Sequence, residues 1–500
     1  MSQHSLRFVH RADLVELRNV PSDTTLLDLL RDELRCTSVK EGCASGDCGA
    51  CTVTVAEVVD GQLQYRAINS CIRLAHSIDG MALWTAQDIA GADGTLHPAQ
   101  KAMLECHGSQ CGFCTPGFVM SLFALYRQRA QDDGVGSLPE SAVSREQAQR
   151  ALSGNLCRCT GYRPILDAAV TMHHWPEPAL DEPAVRSTLA QISRPSAAEP
   201  EGTEGGRLRA YMAPHHLADL LRLRSAEPDA QLVAGCTDVG LWITKGHQRY
   251  ERVLDVTRVA EMKCIGRSGT ELSLGAAVTL HDAFAALADD RPQLAHFLER
   301  FAGLPVRQSG TLGGNIANGS PIGDSMPLLI ALGASLVLAS VRGERVLPIE
   351  DFFLSYRKTA LAPDEVLVRI LVPGPSSTEI ARAYKVSKRF EDDISAVCLC
   401  VALEVAEGQI QQARIGAGGV AAVPARAVRT EALLKGQPFS SSVVEAAAQA
   451  LESEFNPISD MRASSAYRRR VLGNLLRRFF EEAQAGAPVT LADLTWEHTA

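Results

Sequence analysis

Lys40-Glu41-Gly42-Cys43-Ala44-Ser45-Gly46-Asp47-Cys48-Gly49-Ala50-Cys51 decides how this chain of 500 residues is read. Its three cysteines are separated by four residues and then by two, and Cys71 follows after a longer gap. Small residues and glycines let such a loop wrap closely, so backbone N–H groups can reach the sulfurs. Buried, inert thiols would not explain this spacing. A second set lies in Gly108-Ser109-Gln110-Cys111-Gly112-Phe113-Cys114-Thr115-Pro116-Gly117 and in Gly154-Asn155-Leu156-Cys157-Arg158-Cys159-Thr160-Gly161-Tyr162. Four thiolates in two tight pairs, joined by a loop, can converge on one small metal centre. Softness alone admits zinc or iron–sulfur.

The pattern of Cys43, Cys48, Cys51 and Cys71 is that of plant-type [2Fe–2S] ligands. It favours iron–sulfur at the second set as well, where the Cys-x-Cys pair is uncommon for structural zinc. The composition, 46% hydrophobic and 21% charged, is that of a globular chain with ample core. Its length suggests several domains. A net charge of -9 argues against a general nucleic-acid binder. The opening Met-Ser-Gln-His-Ser-Leu-Arg has no apolar signal region, and no apolar run reaches the roughly 18 residues that span a bilayer. A soluble cytoplasmic protein with reduced thiols is expected.

Taken in order, residues 6–20 read as a strand hairpin. Asp23 is placed to cap a helix over Thr24–Leu34. Thr52–Val59 alternates as a strand. Helices are expected from His97-Pro98, over Phe118–Arg129, Ser144–Leu152 and Pro164–Met172, with a loop at Gly134–Pro139. The second cysteine set then falls at helix ends, where the N-terminal dipole favours anionic thiolates. Residues 176–208 lack periodicity and read as a linker. From about 209 the pattern turns α/β. Val233-Ala234-Gly235-Cys236-Thr237-Asp238-Val239-Gly240 is a strand entering a small-residue turn whose amides can face a phosphate. Gln308–Asp324, dense in Gly, hydroxyls and Asn, reads as a long functional loop suited to a pyrophosphate and its ribose. Neither is Gly-x-Gly-x-x-Gly, so no doubly wound dinucleotide domain is indicated. Strands follow at Ser335–Ala339, Arg345–Pro348, Val366–Val372 and Ile394–Val405, the last preceded by the segment Tyr384–Arg389. Cys398 and Cys400 share one face of an apolar strand and read as inert, as do Cys36, Cys106, Cys236 and Cys264. His173-His174 and His215-His216 have no metal-site spacing. Residues 426–485 are helix-rich, and the basic helix Tyr467–Phe480 reads as a solvated or interface helix.

Four stretches, His107–Gly117, Gly154–Pro164, Thr311–Asp324 and Tyr356-Arg357-Lys358-Thr359, resemble the molybdenum-containing xanthine dehydrogenase and aldehyde oxidase family. The resemblance covers nearly the whole chain, which ends where the large molybdopterin domain of such proteins would begin. It implies a multidomain α+β chain: a β-grasp plant-type ferredoxin domain over 1–90, a four-helix-type [2Fe–2S] domain over 91–175 and the linker over 176–208. A PCMH-type α+β FAD-binding domain over 209–378 and a C-terminal CO-dehydrogenase-flavoprotein-like α+β domain over 379–500 complete it.

The resemblance also implies roles. Leu232, Val233, Ala234, Gly235, Cys236, Thr237, Asp238 and Val239 would line the FAD pyrophosphate. Thr311, Leu312, Gly313, Gly314 and Asn315 would form the second FAD loop, and Asp324 would hold the adenosine side. Phe301 would stack on the isoalloxazine, with Leu367 and Lys385 as further flavin contacts. Tyr356 falls on the nicotinamide side, and Gln110 approaches the pterin. Cys236, Asp238 and Asn318 depart from the family pattern, and none of them is a cluster ligand. The implied function is that of the electron-transfer, NAD+-reducing small subunit of a bacterial xanthine dehydrogenase, paired with a molybdopterin-binding large subunit in an α2β2 heterotetramer. No residue of this chain acts on the purine. Alternatives are the same module in a hydroxylase of aldehydes or N-heterocycles, and a stand-alone flavin/iron–sulfur reductase. The last predicts a polar, solvated face around Gln110.

Overall fold

Leu6–His10 pairs antiparallel with Asp13–Leu17 across Arg11 and Ala12, which both adopt positive φ as a two-residue I′ turn requires. The structure is a computed structural model. It describes residues 5–132, 143–178, 180–192, 203–204, 207–208, 210–390 and 392–486. The chain forms two units: Met1–Lys263 with Thr279–His281 and Ala302–Gly314, and Cys264–Val278 with Asp282–Phe301 and Asn315–Ala500.

In the first unit a five-stranded mixed sheet runs in the order Asp13–Leu17, Leu6–His10, Ala82–Trp84, Thr52–Val59, Gln62–Asn69. Only the pairing of Leu6–His10 with Ala82–Trp84 is parallel. The helix Thr115–Asp132 lies on this sheet: Thr54 Oγ1 donates to Met120 O at 3.0 Å, and Gln128 Nε2 to Tyr65 O at 2.8 Å. Tyr65, Trp84, Phe123 and Tyr126 therefore share one core with the helices Pro98–Glu105, Arg145–Leu152 and Arg163–Thr171. A three-stranded parallel sheet, Ala210–Met212, Arg252–Asp255, Gln231–Val233, completes the unit.

Several expectations are corrected here. Thr25, not Asp23, caps the first helix, accepting from Asp28 N at 3.1 Å. That helix spans only Leu26–Asp28 before widening into a π turn at Leu29–Glu33. Asp23 instead accepts from Tyr250 N. The second long helix begins at Thr115, because proline is tolerated in a first turn. Residues 176–208 are not simply a linker. Glu182–Gln191 is a helix capped by Asp181, and its Val185 and Leu189, four apart, enter the shared core. The Gly134–Pro139 loop and residues 193–202 lie outside the described residues.

The docked helix carries a partly buried ion network. Glu182 accepts from Tyr65 OH at 2.6 Å and pairs with Arg127, which also meets Glu177 at 2.6 Å. Arg127→Met would leave two carboxylates facing each other without a countercharge. The expected cost is about 3 kcal/mol. It is read as a lower urea midpoint at unchanged slope; an unaltered midpoint would show that the network contributes nothing.

The second unit has a five-stranded antiparallel sheet, ordered Ile265–Ser268, Glu271–Gly275, Val366–Val372, Ser335–Ser340, Gly343–Pro348. Its four-stranded antiparallel sheet, Glu379–Val386, Val397–Ala406, Gln409–Gly418, Ala425–Arg426, packs its apolar face on the helices Ser441–Glu454 and Ser465–Ala485. Tyr384 is thus inside a strand, and the next strand starts at Val397 rather than Ile394. Cys398 and Cys400 are buried on that strand with sulfurs 3.9 Å apart. The basic helix is less solvated than its sequence suggests. Arg468 is buried on Gly419 O and Asp460, Arg477 pairs with Glu445 and Glu452, and Arg478 pairs with Glu482. Among the described residues no helix is long and apolar enough to cross a membrane.

Candidate redox site

The loop before the strand Thr52–Val59 turns back on itself through positive φ at Ala44, Gly46 and Gly49. This brings Cys43, Cys48 and Cys51 to Cys71. Cys43 Sγ accepts from Ser45 N at 3.4 Å and Cys48 N at 3.3 Å. Thiol hydrogen bonds from Cys48 and Cys71 hold Cys43 far below the usual thiol range, and their partners are pushed up in return. Cys51 and Cys71 are buried, Cys43 and Cys48 half-buried. Amide hydrogen bonds to a cysteine sulfur are what an iron–sulfur ligand set needs.

The second set forms across two loops. Cys111 contacts Cys159, and Cys114 contacts Cys157. Thr160 donates to Cys157 Sγ through its amide at 3.4 Å and its hydroxyl at 3.3 Å. Burial pushes Cys114 up to about 12, aided by the Cys157 neighbour. Phe118 N bonds Cys114 O, so this cysteine sits at the start of the helix Thr115–Asp132. Cys111, Cys159 and Gln110 are exposed, and Phe113, Leu156 and Tyr162 are 47%, 40% and 38% exposed beside them. The surface at the second set is therefore partly apolar. Among the described residues no group of three or more His, Cys, Asp or Glu is arranged for a single metal ion. Four thiols gathered in each set suit a two-iron cluster, which divides four thiolates between its irons.

The two cysteine loops touch. Leu156 N donates to Cys48 O at 2.9 Å. A Cβ on Gly117 would lie 2.1 Å from Gly49 O, so the backbones meet with no room for a side chain. The first loop also meets the α/β part of its unit, where Thr244 Oγ1 donates to Ala44 O at 2.8 Å, and so does the strand Gln62–Asn69, where Gln308 Oε1 accepts from Ala67 N at 2.9 Å.

In the same unit the two glycine-rich segments face each other. Gly235 has φ +83°, and a Cβ there would sit 1.8 Å from Ser309 O. A Cβ on Gly310 would meet Thr237 Oγ1 at 3.0 Å. Gly314 N donates to Thr311 Oγ1 at 3.0 Å. Backbone drawn this close suits a pyrophosphate held by amides and hydroxyls. The side chains divide differently. Val233, Cys236 and Val239 point into a core with Val253, and burial pushes the Cys236 thiol up to about 12. Leu312 is also buried. These residues can present only backbone to a ligand; Leu232, Ala234, Thr237 and Asp238 are half-buried, and Gly313 is buried. Gln308–Asp324 is not one long loop, because Leu312–Asn318 is helical and buries Leu312 and Ile316.

In the second unit Asp324 and Lys385 are brought together. Lys385 Nζ donates to Asp324 Oδ2 at 2.9 Å and Ser395 Oγ to Oδ1 at 2.5 Å, so both carboxylate oxygens have partners. Phe301 is half-buried and edge-on to Phe284 at 5.5 Å. Leu367 is buried in its strand. Asn315 Oδ1 accepts from Ser325 Oγ at 2.5 Å. Tyr356 is 62% exposed at the turn between Phe353–Ser355 and Lys358–Thr359.

Residues 11–75 match the 2Fe-2S iron-sulfur cluster binding domain, and residues 85–170 the [2Fe-2S] binding domain. Residues 204–375 match the FAD binding domain in molybdopterin dehydrogenase, and residues 382–483 the CO dehydrogenase flavoprotein C-terminal domain. The chain thus joins two [2Fe–2S] domains to an FAD-binding domain of the molybdopterin dehydrogenase type and a CO dehydrogenase flavoprotein C-terminal domain, a module similar to those of molybdenum hydroxylases. The module is 32% identical to the xanthine dehydrogenase of Drosophila subobscura, over 92% of this chain and 38% of that protein. It is 31% identical to that of Oryza sativa subsp. japonica, over 84% and 35%. The module thus spans under two fifths of these relatives' length. Among solved structures, a carbon monoxide dehydrogenase from Hydrogenophaga pseudoflava covers 58% of this chain and is itself fully covered, at 28% identity and a TM-score of 0.53. Quinoline 2-oxidoreductase from Pseudomonas putida 86 covers 56%, with 98% of its own chain matched, at 28% identity and a TM-score of 0.51.

Asn155, Leu156, Thr244 and Gln308 were not singled out from the sequence. All four make long-range contacts that hold the cysteine loops or their neighbouring elements together. The signal available for Asn155 was a polar residue in Gly154-Asn155-Leu156-Cys157, beside a ligand but unable to be one.

Proposed function

We propose that this chain carries electrons from a molybdenum centre on a partner to NAD+, as the iron–sulfur and flavin subunit of a xanthine dehydrogenase that converts hypoxanthine and xanthine to urate. The observation that carries the reading is the direct packing of the two cysteine loops, Leu156 N on Cys48 O, within the unit that also holds the glycine-rich segments. When bound, the clusters supply one-electron transfer and the flavin joins it to two-electron hydride chemistry with nicotinamide.

Cys43, Cys48, Cys51 and Cys71 hold one cluster, and Cys111, Cys114, Cys157 and Cys159 the other. The backbone of 232–239 and 311–315 holds the FAD pyrophosphate, Phe301 stacks on the flavin, Asp324 holds the adenosine side, and Leu367 and Lys385 are further flavin contacts. Tyr356 lies on the nicotinamide side. Gln110, with exposed Phe113, Leu156 and Tyr162, faces the molybdopterin-bearing partner. That partly apolar surface supports docking over a stand-alone reductase, which needs no such face. The assembly is an α2β2 heterotetramer of the cytoplasm, where thiols stay reduced.

A second reading, the same module serving an N-heterocycle or aldehyde hydroxylase, draws on the likeness to quinoline 2-oxidoreductase. The broader match to xanthine dehydrogenases favours the first. The test is the natively purified complex given xanthine, quinoline or an aldehyde, with NAD+ or oxygen as acceptor. Xanthine-driven NAD+ reduction is expected. Turnover with quinoline or aldehyde alone would move the assignment to the second reading, and electron uptake from NADH only would overturn both.

A further inference from the structure

We propose that Asn155 is a positioning residue that sets the spacing of the two cysteine sets. This rests on the two-cluster reading above and deepens it. Asn155 is 3% exposed. Its Nδ2 donates to Gly49 O at 3.1 Å and to Thr52 Oγ1 at 3.2 Å, and its Oδ1 accepts from Ser121 Oγ at 2.6 Å. Two of the three partners border a cysteine. Gly49 follows Cys48, and Thr52 follows Cys51. Ser121 lies on the helix that opens after Cys114, and Asn155 itself stands two residues before Cys157. One amide therefore ties loops of both sets to the strand and helix that carry them.

A planar amide offers donors and acceptor in fixed directions. Here both are used, in a place where a Cβ on Gly49 would lie 2.4 Å from Asn155 Nδ2. The neighbouring Leu156 N to Cys48 O bond is the direct link between the sets, and it follows Asn155 in the chain. Removing the amide takes the printed partner from buried Ser121 Oγ and leaves Gly49 O and Thr52 Oγ1 bonded only within their own loop, so the side-chain tie between the two sets is lost.

The test uses the complete complex, as wild type, Asn155→Ala and the milder Ser121→Ala. Iron and flavin content are measured first. Electron paramagnetic resonance of the fully reduced protein then reads each cluster's spectrum and the dipolar splitting between them. Both variants are expected to keep both cluster spectra. The splitting should be lost in Asn155→Ala and reduced in Ser121→Ala, with electron redistribution between the clusters several-fold slower. If Asn155→Ala does not fold, Ser121→Ala decides alone. Wild-type splitting and rate in the variants would overturn the inference, as would a wild type with two signals and no splitting. A wild type without two cluster signals would overturn the functional reading and this inference with it.

Discussion

Cys114→Ser is expected to erase one of two iron–sulfur signals, to halve the iron content and to abolish substrate-driven NAD+ reduction, while flavin stays bound. Cys114 contacts Cys157 and stands at the start of the helix Thr115–Asp132. A hydroxyl there is a far poorer ligand for a soft iron–sulfur centre than a thiolate. The flavin should survive because the glycine-rich segments at 234–237 and 309–314 are built from other residues. Retention of both signals by electron paramagnetic resonance would sink the ligand assignment.

Gly235→Ala should strip the flavin and spare both clusters. The left-handed φ of +83° disfavours any side chain, and the new Cβ would lie 1.8 Å from Ser309 O. Backbone strain and displacement together are expected to cost about 3 kcal/mol. Spent against flavin binding, that lowers affinity roughly 100-fold. The ratio of flavin to iron in the purified variant checks this. A ratio equal to wild type would show that the Gly235 turn does not hold the cofactor.

The cysteine sets were legible because ligand spacing is written locally: three of the first four fall within Cys43–Cys51, and the second four within two short motifs. The cap at Thr25 and the strand start at Val397 were displaced by a few residues, because a polar residue in the right place cannot say which neighbour will use it. The helix Glu182–Gln191 was hidden by its composition, since Val185 and Leu189 give too weak a period and its stability comes from tertiary contacts with Tyr65 and Arg127. Asn155 was invisible for the same reason. Its partners lie 34, 103 and 106 residues away in the chain, and only the fold brings them to one amide. The buried pairing of Asp324 with Lys385, 61 residues apart, belongs to the same class.

The measurement that tests the central claim most directly is the iron, flavin and molybdenum content of the complex purified natively under mild conditions. The account predicts about four irons and about one FAD per chain, with molybdenum on a co-purifying larger partner. Half that iron, no flavin, or zinc in place of iron would contradict it.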